Sequence, residues 1–144
     1  MSGVEVRAAR GTGEVAAALA LREAVFVREQ GVPLGEELDG RDDTALHLVA
    51  VEDGEVVGTC RLLHDGSALR LSRMAVTPER RGRGIAAALL AETDRRAAQL
   101  GTERVALAAQ LSAVPLYERS GYRAHGEVFE DAGILHRRME KRRA

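Results

Sequence analysis

The chain has 144 residues, with 21 lysines and arginines against 22 acids, a formal net charge of −1 and an isoelectric point near 6.4. That length suits one domain, residues 1–144, with a core of its own, and the balanced charge with few aromatic residues speaks against a nucleic-acid partner. Cys60 is the only cysteine, which excludes an internal disulfide and suits a reducing cytoplasm; no apolar run approaches the ~20 residues that span a bilayer, so no membrane partner is expected.

Near the start, Glu5, Arg7 and Arg10 interrupt any signal-peptide pattern, and Val4-Glu5-Val6-Arg7-Ala8 alternates as an edge strand does. Gly11-Thr12-Gly13 breaks it. Glu14 to Arg28 then reads as a helix with Val15, Leu19, Arg22 and Phe26 along one side. Gln30 to Thr44 reads as a loop without regular structure, punctuated by Gly31, Pro33, Gly35 and Gly40 and studded with Glu36, Glu37, Asp39, Asp42 and Asp43. Leu46 to Val51 is a strand, Asp53-Gly54 a hairpin turn, and Val56 to Leu63 the return. Asp65-Gly66 repeats the turn and feeds Ala68 to Val76, so three antiparallel strands form a meander.

The meander leads through the turn Thr77-Pro78-Glu79 into Arg80-Arg81-Gly82-Arg83-Gly84-Ile85-Ala86-Ala87-Ala88-Leu89-Leu90. A helix from roughly Gly84 to Leu100 sets Ile85, Leu89, Thr93, Ala97 and Leu100 on one side, with Gly101 as its stop. Arg104 to Ala109 is a short buried-type strand. Because a helix joins it to the last meander strand, the two should run parallel through a right-handed crossover. Ser112 is placed to cap a second, shorter helix with Pro115 in its first turn and Gly121 at its end. Tyr122 to Phe129 and Leu135 to Glu140 close the chain as a hairpin around Asp131-Ala132-Gly133. The architecture is a mixed sheet flanked by helices, α/β or α+β by naming scheme.

Strand, glycine loop and helix in that order aim the unpaired N–H groups of a helix N-terminus, and the positive end of its dipole, at whatever lies in front. Glycines allow close approach, and arginines add charge and forked hydrogen bonds. The stretch therefore reads as a phosphate or pyrophosphate cradle. A Walker loop would need lysine and Ser or Thr after its second glycine, where Ile85-Ala86 stand, and the only lysine is Lys141. Gly82-Arg83-Gly84-Ile85-Ala86-Ala87 fits G-x-G-x-x-A, but a polar run with a proline separates it from the strand, and Glu103 precedes the next strand rather than following it. A glycine-loosened turn with solvated arginines is the bland alternative.

Arg81, Gly84 and Ala86 also meet R-x-x-G-x-A, and this resembles the acetyl-coenzyme A loop of the GNAT N-acetyltransferases. Gln110 to Tyr122 adds an independent likeness, with Ala113 four residues before Tyr117 and Gly121-Tyr122 shortly after. The family's usual asparagine is Gln110 here. A narrower likeness is to the ElaA-like group, carried by Leu21 to Gln30, Glu37-Leu38-Asp39-Gly40-Arg41-Asp42, and Phe129 to His136.

The resemblance implies the GNAT fold over essentially the whole chain: a mostly antiparallel sheet of six or seven strands with about four helices. It implies an acetyl-CoA-dependent N-acetyltransferase acting on a small-molecule or peptide amine in a ternary complex, with no metal. A non-catalytic acyl-CoA binding or sensing module on the same scaffold is the alternative. Pantetheine would bond backbone at Met74, Ala75 and Val76, and the pyrophosphate would rest on amides of Arg81, Gly82, Arg83, Gly84, Ile85 and Ala86. Arg80, Arg81 and Arg83 are the arginines available to the other phosphate, and Gln110 and Ala113 complete the donor site. The Val76 amide would serve as oxyanion donor and Tyr117 as general acid. The matching position for the base of some relatives is Arg70, so the base and acceptor contacts fall among Glu37, Asp39, His47, Glu130 and His136. The acidic loop would form a negative rim for a protonated amine. Cys60 is the weaker candidate for a nucleophile, reading as a small buried residue. Homodimers are common in the family, though no decisive apolar stripe marks one here.

Overall fold

A computed structural model describes residues 3–143. Strand β1 (Val4–Ala8) is followed by helix α1 (Gly11–Arg22), which continues without a break as a π-helical segment, Glu23–Glu29. The helix thus starts at Gly11, three residues before the expected Glu14. The wider turn after Arg22 re-aims the side facing the sheet, burying Ala18, Arg22 and Val25. The stretch expected as an irregular loop holds a short helix, α2 (Leu34–Glu37), and a 3-10 turn, Asp42–Thr44.

Strands β2 (Leu46–Glu52), β3 (Glu55–Asp65) and β4 (Ala68–Val76) form the meander. Asp53 and Gly54 both take positive φ (52° and 77°), as a two-residue hairpin turn that follows the sheet twist requires. Helix α3 (Ile85–Leu100) crosses over to β5 (Arg104–Gln110), which pairs with β4 in parallel. A 3-10 turn, Leu111–Ala113, leads into α4 (Val114–Arg119). Ser112 lies inside that turn and makes no cap, because α4 starts one residue later than its position required, with Ala113 at the N-cap. Strands β6 (Arg123–Asp131) and β7 (Ile134–Arg142) complete one seven-stranded sheet of order β1-β2-β3-β4-β5-β7-β6. Every neighbouring pair is antiparallel except β4 with β5.

Alternation along β3 divides the two faces. Gly58 and Cys60 turn toward α3, where a side chain on Gly58 would meet Ile85 at 2.8 Å. Arg61 turns the other way, toward Asp39, Asp42 and Ser72. The core under α3 comprises Leu48, Cys60, Leu62, Leu69, Leu89, Leu90 and Met139, joined by Tyr117 from α4 and Tyr122 from the turn after it. Removing the Leu89 side chain to its Cβ would cost ~3 kcal/mol, since that residue is fully enclosed. Leu100, expected on the buried side of α3, is half exposed because the helix ends there at Gly101.

Candidate active site

Two strands part to make the site. β4 and β5 pair only at Ala68, Leu69 and Arg70 with Arg104, Val105 and Ala106. Beyond those pairs both strands run on, to Val76 and Gln110, without bonding each other. β5 instead keeps full register with β7, and β4 stays on β3, so the sheet opens as a wedge.

A bulge shapes one wall. Cys60 on β3 is opposed by both Arg73 and Met74, and Arg73 sits at φ 56°. A non-glycine residue there is strained, and the extra residue bends β4 away from β5. Arg73 reaches the Glu37 carboxylate at 3.1 Å, which ties the bulge to α2.

The cleft between the strands has a volume of about 710 Å³. Met74, Ala75 and Val76 line one side, Gln110, Ala113 and Tyr117 the other, and Gly82, Gly84, Ile85 and Ala86 the end. Thr77 donates its N–H to the Val57 carbonyl at 2.9 Å. Successive amides of an extended strand face opposite edges, so the Val76 N–H and C=O both face the opening. Arg81 Nε donates to that Val76 carbonyl at 3.0 Å, leaving the amide to the cleft.

Gly82 and Gly84 have φ of 77° and 81°, the left-handed region that a side chain disfavours. Gly84 is the residue ahead of α3, and no side chain caps the helix. The first amide bonded back into the helix is that of Ala88, to Gly84. The amides of Gly82 to Ala87 therefore form the open donor array. Arg81's own amide is used, donating to the Pro78 carbonyl at 3.3 Å. Its guanidinium forms a two-pronged pair with Glu29 at 2.7 and 2.8 Å. Arg80 is paired with Glu52, and Arg83 lines a separate, smaller hollow against β1.

Tyr117 is buried in the cleft wall, edge-on to Tyr122 with ring centres 5.8 Å apart. Burial pushes its phenol well above the ordinary tyrosine value, so it carries its proton. Cys60 lies outside the cleft, fully enclosed, and burial pushes its thiol up to about 12 despite a hydrogen bond with Thr93. That is the wrong direction for a thiolate nucleophile.

The acid-rich segment is organised by arginines. Arg22, 0% exposed, and Arg73 both reach Glu37, 2% exposed; Arg22 and Arg61 reach Asp42, and Arg61 and Arg73 reach Asp39. Three guanidinium groups thus offset three of the five carboxylates that suggested a negative rim. Of the expected acceptor contacts, Glu37 and His136 line the cleft, whereas Asp39, His47 and Glu130 do not. His47 is buried, with Nε2 donating to the Asp42 carbonyl at 2.9 Å. Gln30, Ser72, Arg73 and Asp131 line the cleft without having been singled out. Gln30 and Asp131 fall in the stretches that carried the ElaA-like resemblance, whereas Ser72 and Arg73 carried no signal; in the structure Gln110 donates to the Gln30 side chain at 2.7 Å.

Residues 14–143 match the Acetyltransferase (GNAT) domain family. The chain is 36% identical over 122 residues to the uncharacterized N-acetyltransferase YjcF of Bacillus subtilis, covering 84% of this chain and 87% of that protein. Among solved structures it is similar to Escherichia coli ElaA, with a TM-score of 0.85 and 26% identity over 96% of this chain and 99% of that one. An acyl-CoA N-acyltransferase from Pseudomonas aeruginosa superposes with a TM-score of 0.83 at 29% identity, covering 96% and 97% of the two chains. The chain belongs to the GNAT acetyltransferase family: it is an acyltransferase, and acetyl-CoA is its donor substrate.

Proposed function

We propose that this chain, one GNAT domain over residues 1–144, transfers the acetyl group of acetyl-CoA to a primary amine by direct attack while both substrates are bound. The observation that carries this reading is the wedge between β4 and β5, closed at one end by the open amides of Gly82 to Ala87 and walled by Tyr117. The amide array suits a diphosphate, and the wedge edges at Met74 to Val76 suit the amide-bearing arm behind it. Positioning supplies most of the acceleration, because holding two reactants in attack geometry removes ~7–11 kcal/mol of barrier at best.

Two residues act on the reacting centre in this reading. The Val76 amide, facing the opening, stabilises the oxygen of the thioester carbonyl as negative charge gathers there. The buried Tyr117 phenol gives its proton to the departing sulfur. The same desolvation that raises Tyr117 disfavours a bare thiolate, so the proton moves to sulfur as the C–S bond breaks. Cytoplasm is the proposed setting, in keeping with the single free cysteine, and no helix among the described residues is long and apolar enough to cross a membrane.

The test is thiol release from acetyl-CoA against a panel of spermidine, an arylalkylamine, an aminoglycoside and a lysine peptide. Wild type should turn over at least one amine, and Tyr117→Phe should lose about a hundredfold in kcat with little change in acetyl-CoA binding. Equal kcat in the two proteins would remove Tyr117 from the mechanism. No turnover of any amine would contradict the reading itself.

A further inference from the structure

The amine that attacks must first lose a proton, and the strand position that supplies a base in some relatives is occupied by Arg70, tied to Asp65 at 2.7 Å on the surface. Two of the carboxylates expected near the acceptor are already engaged. Asp39 is held by both terminal nitrogens of Arg61, at 2.7 and 2.8 Å, and Glu37 Oε1 by Arg22 at 2.8 Å and Arg73 at 3.1 Å. Protonating either would strand buried guanidinium charge.

His136 differs. It stands on β7 opposite Gln110 of β5 and Phe129 of β6, where the open end of the wedge meets the closing hairpin. Phe129, Asp131, Ile134 and His136 share one face, the cleft face, while Glu130 and Leu135 point to the other. The ring is half-buried and stacks on Phe129, with centres 5.7 Å apart and planes 25° from parallel. Its Nδ1 lies 2.7 Å from the Ile134 carbonyl. A carbonyl only accepts, so Nδ1 carries the hydrogen, and in the neutral ring Nε2 is left with its lone pair. Asp131 lies on the same face, diagonal to it.

We infer that His136 is the general base of the transfer, an assignment that rests on the acetyltransferase reading above. Nε2 takes one proton from the incoming ammonium. The freed nitrogen pair forms the C–N bond as the carbonyl pair moves to oxygen beside the Val76 amide. That pair returns as the C–S bond breaks, and sulfur leaves with its electrons and takes the Tyr117 proton. The surplus proton on the new amide nitrogen restores the phenol, and the imidazolium releases its proton to water. The sum is ammonium plus thioester giving amide, thiol and one proton.

The experiment compares wild type, His136→Gln and His136→Ala with acetyl-CoA and the amine that wild type acetylates best from the panel above. Both variants should keep their acetyl-CoA dissociation constant, which certifies folding, and lose a hundredfold or more in kcat. Added imidazole should restore part of the His136→Ala rate. Two-bond 1H–15N spectra of wild type, assigned by the His136→Gln difference, should show His136 protonated at Nδ1 and bare at Nε2 in its neutral form. Variants with wild-type kcat, or a ring protonated at Nε2 instead, would overturn the base while leaving the acetyltransferase intact. A wild type that binds acetyl-CoA but acetylates no amine would overturn both.

Discussion

Arg81 clasps Glu29 with two nitrogens and the Val76 carbonyl with a third, so one side chain joins the glycine loop, the end of the first helix and the strand edge. The clasp is half-exposed, and an exposed ion pair is worth under ~1 kcal/mol. It also occupies the guanidinium that immediately precedes Gly82. Replacing Glu29 with Gln should release Arg81 toward the donor's phosphates. Calorimetry should then record CoA binding two- to fivefold tighter, with a steeper dependence on salt. Weaker binding would mean that the clasp orders the loop more than it restrains the arginine.

Gly84 precedes α3 at φ 81°, with nothing within 4 Å of a Cβ placed there. Space is therefore no obstacle to alanine, and the cost is conformational, ~1–2 kcal/mol for a left-handed residue. The loop should relieve it by turning the amides away. Gly84→Ala is expected to raise the KM for acetyl-CoA about tenfold and leave the acceptor KM near its original value. A change confined to the acceptor would place the donor phosphates elsewhere.

The arginine–carboxylate cluster sets an acid limit on stability. The Arg61 guanidinium holds Asp39 well below the usual carboxylate range; burial works against ionisation of Asp42, yet Arg22 and Arg61 lower it as well. A carboxyl depressed on folding adds stability above its unfolded value of about 4, and that gain is lost as the pH falls through the folded value. Asp39→Asn should therefore be less stable than wild type at pH ~7, with the gap closing below pH ~4. Urea unfolding across that range measures it. A gap independent of pH would show that Asp39 contributes through shape alone.

Cys60 should be dispensable to chemistry. Its thiol is enclosed beneath α3 and pushed up to about 12 by burial. Cys60→Ala is expected to keep wild-type kcat and KM while losing about 1 kcal/mol of stability from the small void. In the native protein the thiol should resist alkylation until unfolding. A large fall in kcat would reopen a covalent route.

Periodicity and turn chemistry made the strands readable, because Asp53-Gly54, Asp65-Gly66 and Gly101 each stop an element for a local reason. The α3 loop was readable too, since glycines and arginines between a strand and an apolar helix leave few alternatives. Arg73 was not. Its positive φ comes from a bulge that the pairing of β3 with β4 imposes, and nothing in Ser72-Arg73-Met74 announces it. The π-helical segment was hidden similarly, as Glu23 to Glu29 has the composition of an ordinary helix. The acids misled for a different reason: Glu37, Asp39 and Asp42 look solvated in one dimension, while their partners Arg22, Arg61 and Arg73 arrive from three other elements. His47 and His136 were equivalent in the sequence, and only the fold separates one that braces the Asp42 backbone from one that opens onto the cleft.

Calorimetric titration of the purified protein with coenzyme A, beside Gly84→Ala, tests most directly whether the amides ahead of α3 receive the donor's diphosphate. Saturable binding of one coenzyme per chain, weakened about tenfold by the substitution, is the predicted result. Absence of binding to wild type, or equal binding to both proteins, would contradict it.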